Sequence, residues 1–165
     1  EFLGPIWNIE GSNNIYIEGT DSLRLGQATA DKFYLKTAGS ITDFGEGLTY
    51  YVLAKDLILS ASGGIDTTTN ALEIATDNLQ VKNSVSGMIN IDDIGGGGSL
   101  TLKVLDSGLG SFAIDSVGDV KIASANIERI NLDGDFTLAE DKTLTVNANL
   151  RVKEIQLRQK KLRLF

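Results

Sequence analysis

Carboxylates are the side chains of this 165-residue sequence best suited to chemistry, and they occur in close pairs at Asp92-Asp93, Asp133/Asp135 and Glu140-Asp141. Carbohydrate-cleaving enzymes need two or three carboxylates that converge at defined separations, one of which holds a proton. Aspartate also favours turns, because its side chain bonds to nearby backbone groups. We predict that these pairs lie at turns, that no residue is catalytic and that the protein is not an enzyme.

Metal and cofactor binding are the next functions to consider. Carboxylate-rich loops suit calcium, but the Gly-Gly-x-Gly-x-Asp repeat and EF-hand spacing do not occur in the sequence. Cysteine and histidine are absent, which excludes thiolate sites, the commonest zinc ligands and Ser-His-Asp or Cys-His catalysis. We expect no cofactor and no specific metal site.

Two short runs resemble ligand motifs and have simpler explanations. The four glycines of Gly95–Gly98 lack the helix or Gly-Lys-Ser/Thr that a phosphate cradle needs, and they match an engineered linker as well. Strand-like spacing continues on both sides of them, which favours a natural wide turn. Thr67-Thr68-Thr69 occurs once rather than in repeats, so we predict a turn rather than an ice-binding ladder.

Aromatic side chains are concentrated in the first third of the chain. Exposed rings in such a cluster would form a platform for sugars, and Trp7, Tyr16 and Tyr34 are the candidates for it. The alternative is that the aromatics fill the core or cap an end that would otherwise expose apolar surface and strand edges.

The last fifteen residues differ sharply in charge from the rest. Residues 151–165 contain six basic side chains and one acidic side chain, whereas the whole chain has a net charge of −7. Basic residues at a sheet edge deter unwanted pairing. The other interpretation is head-to-tail assembly, in which this basic end meets the acidic end of another copy. The candidate contact residues are Ile155, Leu157, Arg158, Lys160, Lys161, Leu162 and Leu164.

The elements that position these residues are short strands, which recur about every ten residues. Pairs such as Leu79/Val81, Ile89/Ile91, Leu100/Leu102 and Phe112/Ile114 put two apolar side chains on one face. Gly, Asn, Asp and Ser separate the pairs, and Asp133-Gly134 is the only clear two-residue hairpin signal. This pattern favours stacked parallel coils over a sandwich of antiparallel hairpins.

We therefore predict an all-β, single-domain parallel β-helix (β-solenoid) over residues 1–165. With two strand pairs and a short third side, a coil takes roughly 20 to 25 residues, which gives about seven coils, and right-handed coiling is usual. Residues 1–46 form aromatic-rich coils, 47–124 regular coils, and 125–165 tighter coils with a basic end.

Several stretches resemble the repeats of filamentous-haemagglutinin-like giant bacterial adhesins. Trp7–Asn13 is similar to their W-x-I-x-G-x-N segment, and Ala38–Asp43 to their A-G-x-I-x-D unit. Leu57–Ile65, followed by Asn70–Ile74 and Asn78-Leu79, is similar to L-x-L-x-A-x-x-G-I, N-x-L-x-I and N-L. The resemblance covers about residues 7–124. It implies a right-handed parallel β-helix, export to the cell surface or medium, and an adhesive or structural role.

The expected function is a non-enzymatic structural or adhesive component of a bacterial extracellular fibre or surface adhesin. The alternative is a carbohydrate-binding or carbohydrate-cleaving β-helix protein. Expected partners are other copies of the chain, head to tail, or a ligand on a host or cell surface. The acidic balance argues against nucleic acid, and no apolar run is long enough for a membrane span. The chain begins at Glu1 without a leader pattern, which predicts a mature product or an excised piece.

Overall fold

The structure is a computed structural model, and it describes only part of the chain. Side chains and backbone are described for residues 9–11, 13–44, 51–66, 69–95, 98–106, 108, 110 and 112–121. Ile122 and the strand segments from residue 130 onward are described by their backbone alone. Trp7 lies outside these residues.

Every regular element in the described residues is a β-strand. The strands are β1 (Ile9–Glu10), β2 (Asn14–Gly19), β3 (Leu23–Arg24), β4 (Ala28–Thr37), β5 (Ile41–Thr42), β6 (Val52–Ala61), β7 (Leu72–Asn83), β8 (Ile89–Asp93), β9 (Ser99–Asp106), β10 (Phe112–Ser116), β11 (Asp119–Ile122), β12 (Ile130–Leu132), β13 (Phe136–Leu138), β14 (Leu144–Val146), β15 (Leu150–Val152), β16 (Gln156–Leu157) and β17 (Leu162–Leu164). Among these residues no helix is long and apolar enough to cross a membrane.

The described strands pair in parallel between successive coils, which makes the fold an all-β parallel β-solenoid of about four turns. Phe33 pairs with Leu57 and Leu57 with Leu79, so successive coils advance by 24 and then 22 residues. The parallel register excludes the antiparallel sandwich for these strands. The predicted short third side is present as β3, β5 and Ile65, which forms one parallel bridge to Ile41 and another to Ile89.

The three longest strands each turn a corner. In β4 the buried side chains alternate through Ala28 and Ala30, then two exposed residues follow before Phe33 is buried. Two successive outward residues shift the alternation, which bends the strand from one side of the solenoid to the next. The residue before the bend points inward and is small, as Ala30 and Ala54 show. Short-strand patterning predicted only the second half of each of these strands.

The core consists of columns of apolar side chains in register. Phe33, Leu57, Leu79 and Leu102 form one such column, and all four are fully buried. Each buried side chain of this kind contributes about 1.5–3 kcal/mol of transfer free energy. The columns therefore hold the coils in one register.

A column of glycines forms the turn that leads into the third side. It consists of Gly39, Gly63, Gly87 and Gly110, each two residues before a buried Ile or Phe. A Cβ on Gly87 would collide with the carbonyl oxygen of Gly63, and a Cβ on Gly110 with that of Gly87. Gly87 also has a φ of 101°, which side chains rarely adopt. The coils approach at this turn more closely than any side chain allows.

Candidate functional site

The outward side chains of β2, β4, β6, β7 and β9 form one continuous surface, here called the long-strand face. Its central row runs from Tyr16 through Tyr34, Ile58 and Gln80 to Val104. A shift in register between Leu79 and Gln80 adds one extra residue to β9. The surface therefore offers an aromatic end and a mixed apolar and polar continuation.

Tyr16 and Tyr34 stack face to face, with ring centroids 4.3 Å apart and an angle of 2° between the planes. The two residues are paired in register, so one face of each ring is turned along the solenoid axis toward the other. Tyr16 is 66% exposed, whereas Tyr34 is half-buried. This tyrosine stack differs from the predicted platform, because Tyr34 has one face covered by Tyr16.

The hydroxyl of Tyr16 donates a hydrogen bond of 2.6 Å to Oε1 of Glu18, and Nζ of Lys36 lies 3.4 Å from the same oxygen. The bond to the carboxylate and the neighbouring Tyr34 hydroxyl raise the pKa of Tyr16 above its usual range. The same hydrogen bond and Lys36 lower the pKa of Glu18. An exposed ring is thus held in a fixed orientation by its polar end.

Further charges on the long-strand face are paired between coils. Nζ of Lys103 lies 3.3 Å from Oδ1 of Asp56, and Nζ of Lys82 lies 3.9 Å from Oδ2 of Asp106. Lys103 is the extra residue of the register shift, and this position turns it outward beside Val104. The irregularity in β9 therefore positions a cation that reaches Asp56 across β7.

A second surface carries stacked acids. Glu73, Asp92 and Asp115 are paired in register on β7, β8 and β10, and they form the carboxylate row. Burial and the nearby acids Asp43 and Asp92 raise the pKa of Glu73 to about 7. Burial and the charge of Asp115 raise the pKa of Asp92.

Asp43 extends this acidic region toward the interior. Its side chain is buried, accepts a 2.7 Å hydrogen bond from Nδ2 of Asn70, and raises the pKa of the neighbouring Glu73. Nε of Arg24 donates to the backbone carbonyl oxygen of Asp43, and the guanidinium lies 4.4 Å above the ring centre of Phe44. A carboxyl that keeps its proton near neutral pH is what general-acid catalysis requires, so the carbohydrate-cleaving alternative must be tested at Glu73.

Asp93 points the opposite way from Asp92, into the core. It is 2% exposed, and the hydroxyl of Ser116 donates a 3.0 Å hydrogen bond to its Oδ2. Burial raises the pKa of Asp93, while Ser116 and the backbone amides of Thr76 and Gly95 act in the opposite direction. The prediction that Asp92 and Asp93 lie at a turn is wrong, because both belong to strand β8, where one faces out and the other in.

The other candidate residues fall in different parts of the chain. Leu157 lies in β16, and Leu162 and Leu164 lie in β17, at opposite ends of the described strand order. Ile155, Arg158, Lys160 and Lys161 lie outside the described residues, as do Asp133, Asp135, Glu140 and Asp141. Of the aromatics, Phe33 and Tyr51 belong to the core.

The acidic side chains are the candidate metal ligands among the described residues. Within this part of the chain, no group of three or more His, Cys, Asp or Glu residues is arranged to hold a metal ion. The acids of the carboxylate row follow one another along the axis instead of surrounding a common point.

Comparisons of the chain with protein families, with curated proteins and with solved structures gave no match. The structure bears out the coarser part of the resemblance, a β-solenoid repeat protein. The assignment to filamentous-haemagglutinin-like adhesins has no family match to support it.

Proposed function

We propose that this protein is a non-enzymatic structural or adhesive component of a bacterial extracellular fibre or surface adhesin, of the filamentous-haemagglutinin-like kind. The observation that carries the proposal is the contrast between repeated core columns and variable outward rows. Phe33, Leu57, Leu79 and Leu102 recur in one buried column, whereas the outward row beside them changes from Tyr to Ile, Gln and Val. A rod built in this way keeps its shape while its surface changes along the axis.

The proposal includes a right-handed rod of about seven coils, in which the strands from Ile130 onward continue the stack. At the usual strand spacing, such a rod is roughly 35 Å long. Head-to-tail association through the basic C-terminal end, with Leu157, Leu162 and Leu164 in the contact, would extend the rod into a filament.

The shape is tested by negative-stain microscopy and small-angle X-ray scattering of the purified chain. One copy roughly 35 Å long is no longer than a compact chain of 165 residues is wide, so the shape is read from associated copies. Thin threads are expected, and globular aggregates would contradict the rod. Sedimentation over a dilution series tests the filament: the mean size should rise with concentration and fall with salt. A monomer at every concentration would rule out self-assembly.

The absence of enzyme activity is tested with a panel of neutral and acidic polysaccharides, by measuring the release of reducing ends. We expect no release by the wild-type chain. Release that disappears in Glu73→Gln but persists in the matched Asp56→Asn variant would overturn the non-enzymatic part of the proposal. That result would place a general acid in the carboxylate row.

A further inference from the structure

The tyrosine stack leaves one ring face without a neighbour on the described strands. Tyr34 covers one face of Tyr16, and β2, which carries Tyr16, pairs only with β4 among the described strands. The second face of Tyr16 is therefore directed along the axis and away from Tyr34. Its 66% exposure is the largest among the exposed large hydrophobic side chains of the described residues.

This exposed ring is also held in place. An unrestrained surface tyrosine samples several rotamers, and binding then costs the entropy of fixing one of them. Tyr16 is restrained on two sides, by stacking on Tyr34 and by the 2.6 Å hydrogen bond to Glu18. Lys36 also lies 3.4 Å from this carboxylate oxygen, but the pair is half exposed and adds little restraint of its own. The ring is preorganised for a flat apolar partner.

The surroundings of the ring indicate which flat partner it suits. The Glu18 carboxylate is balanced by Lys36, and the exposed Asn14 on the same strand is uncharged. The nearby Lys32 faces Asp56 across the next pair of strands. A balanced set of hydrogen-bonding groups beside an aromatic face suits a ring with one apolar face and several hydroxyl groups. An uncharged pyranose sugar has that chemistry.

We propose that Tyr16 is the stacking platform of a carbohydrate site that takes an uncharged pyranose ring on its open face, with Glu18 and Asn14 positioned for the sugar hydroxyls. The inference rests on the adhesive part of the proposed function and names its ligand class. One aromatic contact gives weak binding, so firm attachment depends on several sites acting together. A copy stacked head to tail on this end would cover Tyr16, so the sugar binds at the free end of a rod.

The test uses saturation-transfer NMR and a glycan array with the full chain, with glucose, galactose, mannose and their neutral oligosaccharides as probes. We expect millimolar binding of at least one neutral sugar, with ring protons in contact with the protein. Tyr16→Ala should weaken that binding about tenfold. Tyr16→Phe, which keeps the ring but loses the bond to Glu18, should retain most of it.

Val85→Ala is the matched control, since Val85 is 54% exposed and lies outside the long-strand face. Circular dichroism checks that each variant keeps its β-structure. The proposal is overturned if no neutral sugar binds, if only acidic sugars bind, or if Tyr16→Ala binds as the wild type does. Loss of self-association in Tyr16→Ala without sugar binding would assign the ring to another copy of the chain instead. A circular dichroism spectrum unchanged from that of the wild type would leave the architecture intact in each of these cases.

Discussion

The long-strand face and the carboxylate row follow the same stacking rule, in which residues paired between neighbouring coils lie side by side on the surface. The rule has opposite electrostatic results on the two surfaces. On the long-strand face, the rule places Glu18 beside Lys36 and, through the register shift in β9, brings Lys103 to Asp56. In the carboxylate row, it places three acids in register. Opposite charges on neighbouring strands stabilise a sheet, and like charges directly opposite one another destabilise it.

The difference shows what the core of a solenoid imposes on its surface. The inward columns and the tight glycine turns fix the register, and the outward residues must then accept whichever neighbours that register provides. A balanced row adds stability and holds side chains in place, as for Tyr16. In the carboxylate row, burial first and the neighbouring acids second raise the pKa of Glu73 to about 7, so this side chain keeps its proton more readily.

The largest loss of stability is expected from a substitution that disrupts the register between coils. In Gly87→Ala the new Cβ collides with the carbonyl of Gly63 and imposes a disfavoured positive φ. We expect the free energy of unfolding to fall by about 3 kcal/mol or more. Urea unfolding followed by circular dichroism measures the loss.

Gly98→Ala is the control for this variant. Gly98 also has a positive φ, of 85°, but no atom lies within 4 Å of the added Cβ. The free energy of unfolding of Gly98→Ala should therefore fall by about 1 kcal/mol only, the cost of the disfavoured φ without a collision. Equal losses in the two variants would show that coil-to-coil contact at the glycine column does not set the register.

Much of the fold could be predicted from the sequence, because inward pairs have a strict period of two. The pairs at Leu79/Val81, Ile89/Ile91 and Phe112/Ile114 all lie in strands. The corners were not predicted. At Asp31 the chain bends without a glycine or proline, and only the burial of Ala30 and Phe33 on either side reveals the shift.

The acidic site was missed because local turn chemistry was favoured over coil spacing. Asp92 lies three residues after the buried Ile89, and Asp115 lies three residues after the buried Phe112. Ile89 and Phe112 both follow the glycine turn, so an alignment of the coils at that turn would have placed the two acids side by side. Glu73 lies eight residues after Ile65, and no such alignment would have found it. Its place in the row depends on pairing across coils of different length.

A smaller change in stability is expected when the pH is varied, and it tests whether the carboxylate row is the unbalanced surface. The pKa of Glu73 is raised to about 7 from an unfolded value of about 4.3. The protonated folded form is therefore favoured, and the stability it contributes is present below pH 4.3 and lost as the pH rises through about 7. We expect the free energy of unfolding to be about 1–2 kcal/mol higher at pH 5 than at pH 8, a value reduced for solvent screening.

Glu73→Gln separates this contribution from that of the overall net charge. The variant should lose part of the difference between pH 5 and pH 8, because its amide cannot titrate. Asp56→Asn removes one negative charge from the long-strand face and is the charge-matched control. If both variants flatten the pH dependence equally, net charge explains the effect and the row has no special role.

The smallest effect is expected at the paired charges, and it tests whether the long-strand face gains stability from its balance. Lys103 and Asp56 are about one-third exposed at 3.3 Å, whereas Lys82 is more exposed and lies 3.9 Å from Asp106. Double-mutant cycles with Lys103→Ala and Asp56→Ala should give a coupling of about 0.5 kcal/mol that shrinks in 1 M salt. The Lys82–Asp106 cycle should give less, because its charges are farther apart and Lys82 is more exposed than Lys103. A coupling of zero in both cycles would mean that these ion pairs add nothing to the free energy of unfolding. The two surfaces would then differ only in the destabilisation caused by the like charges of the carboxylate row.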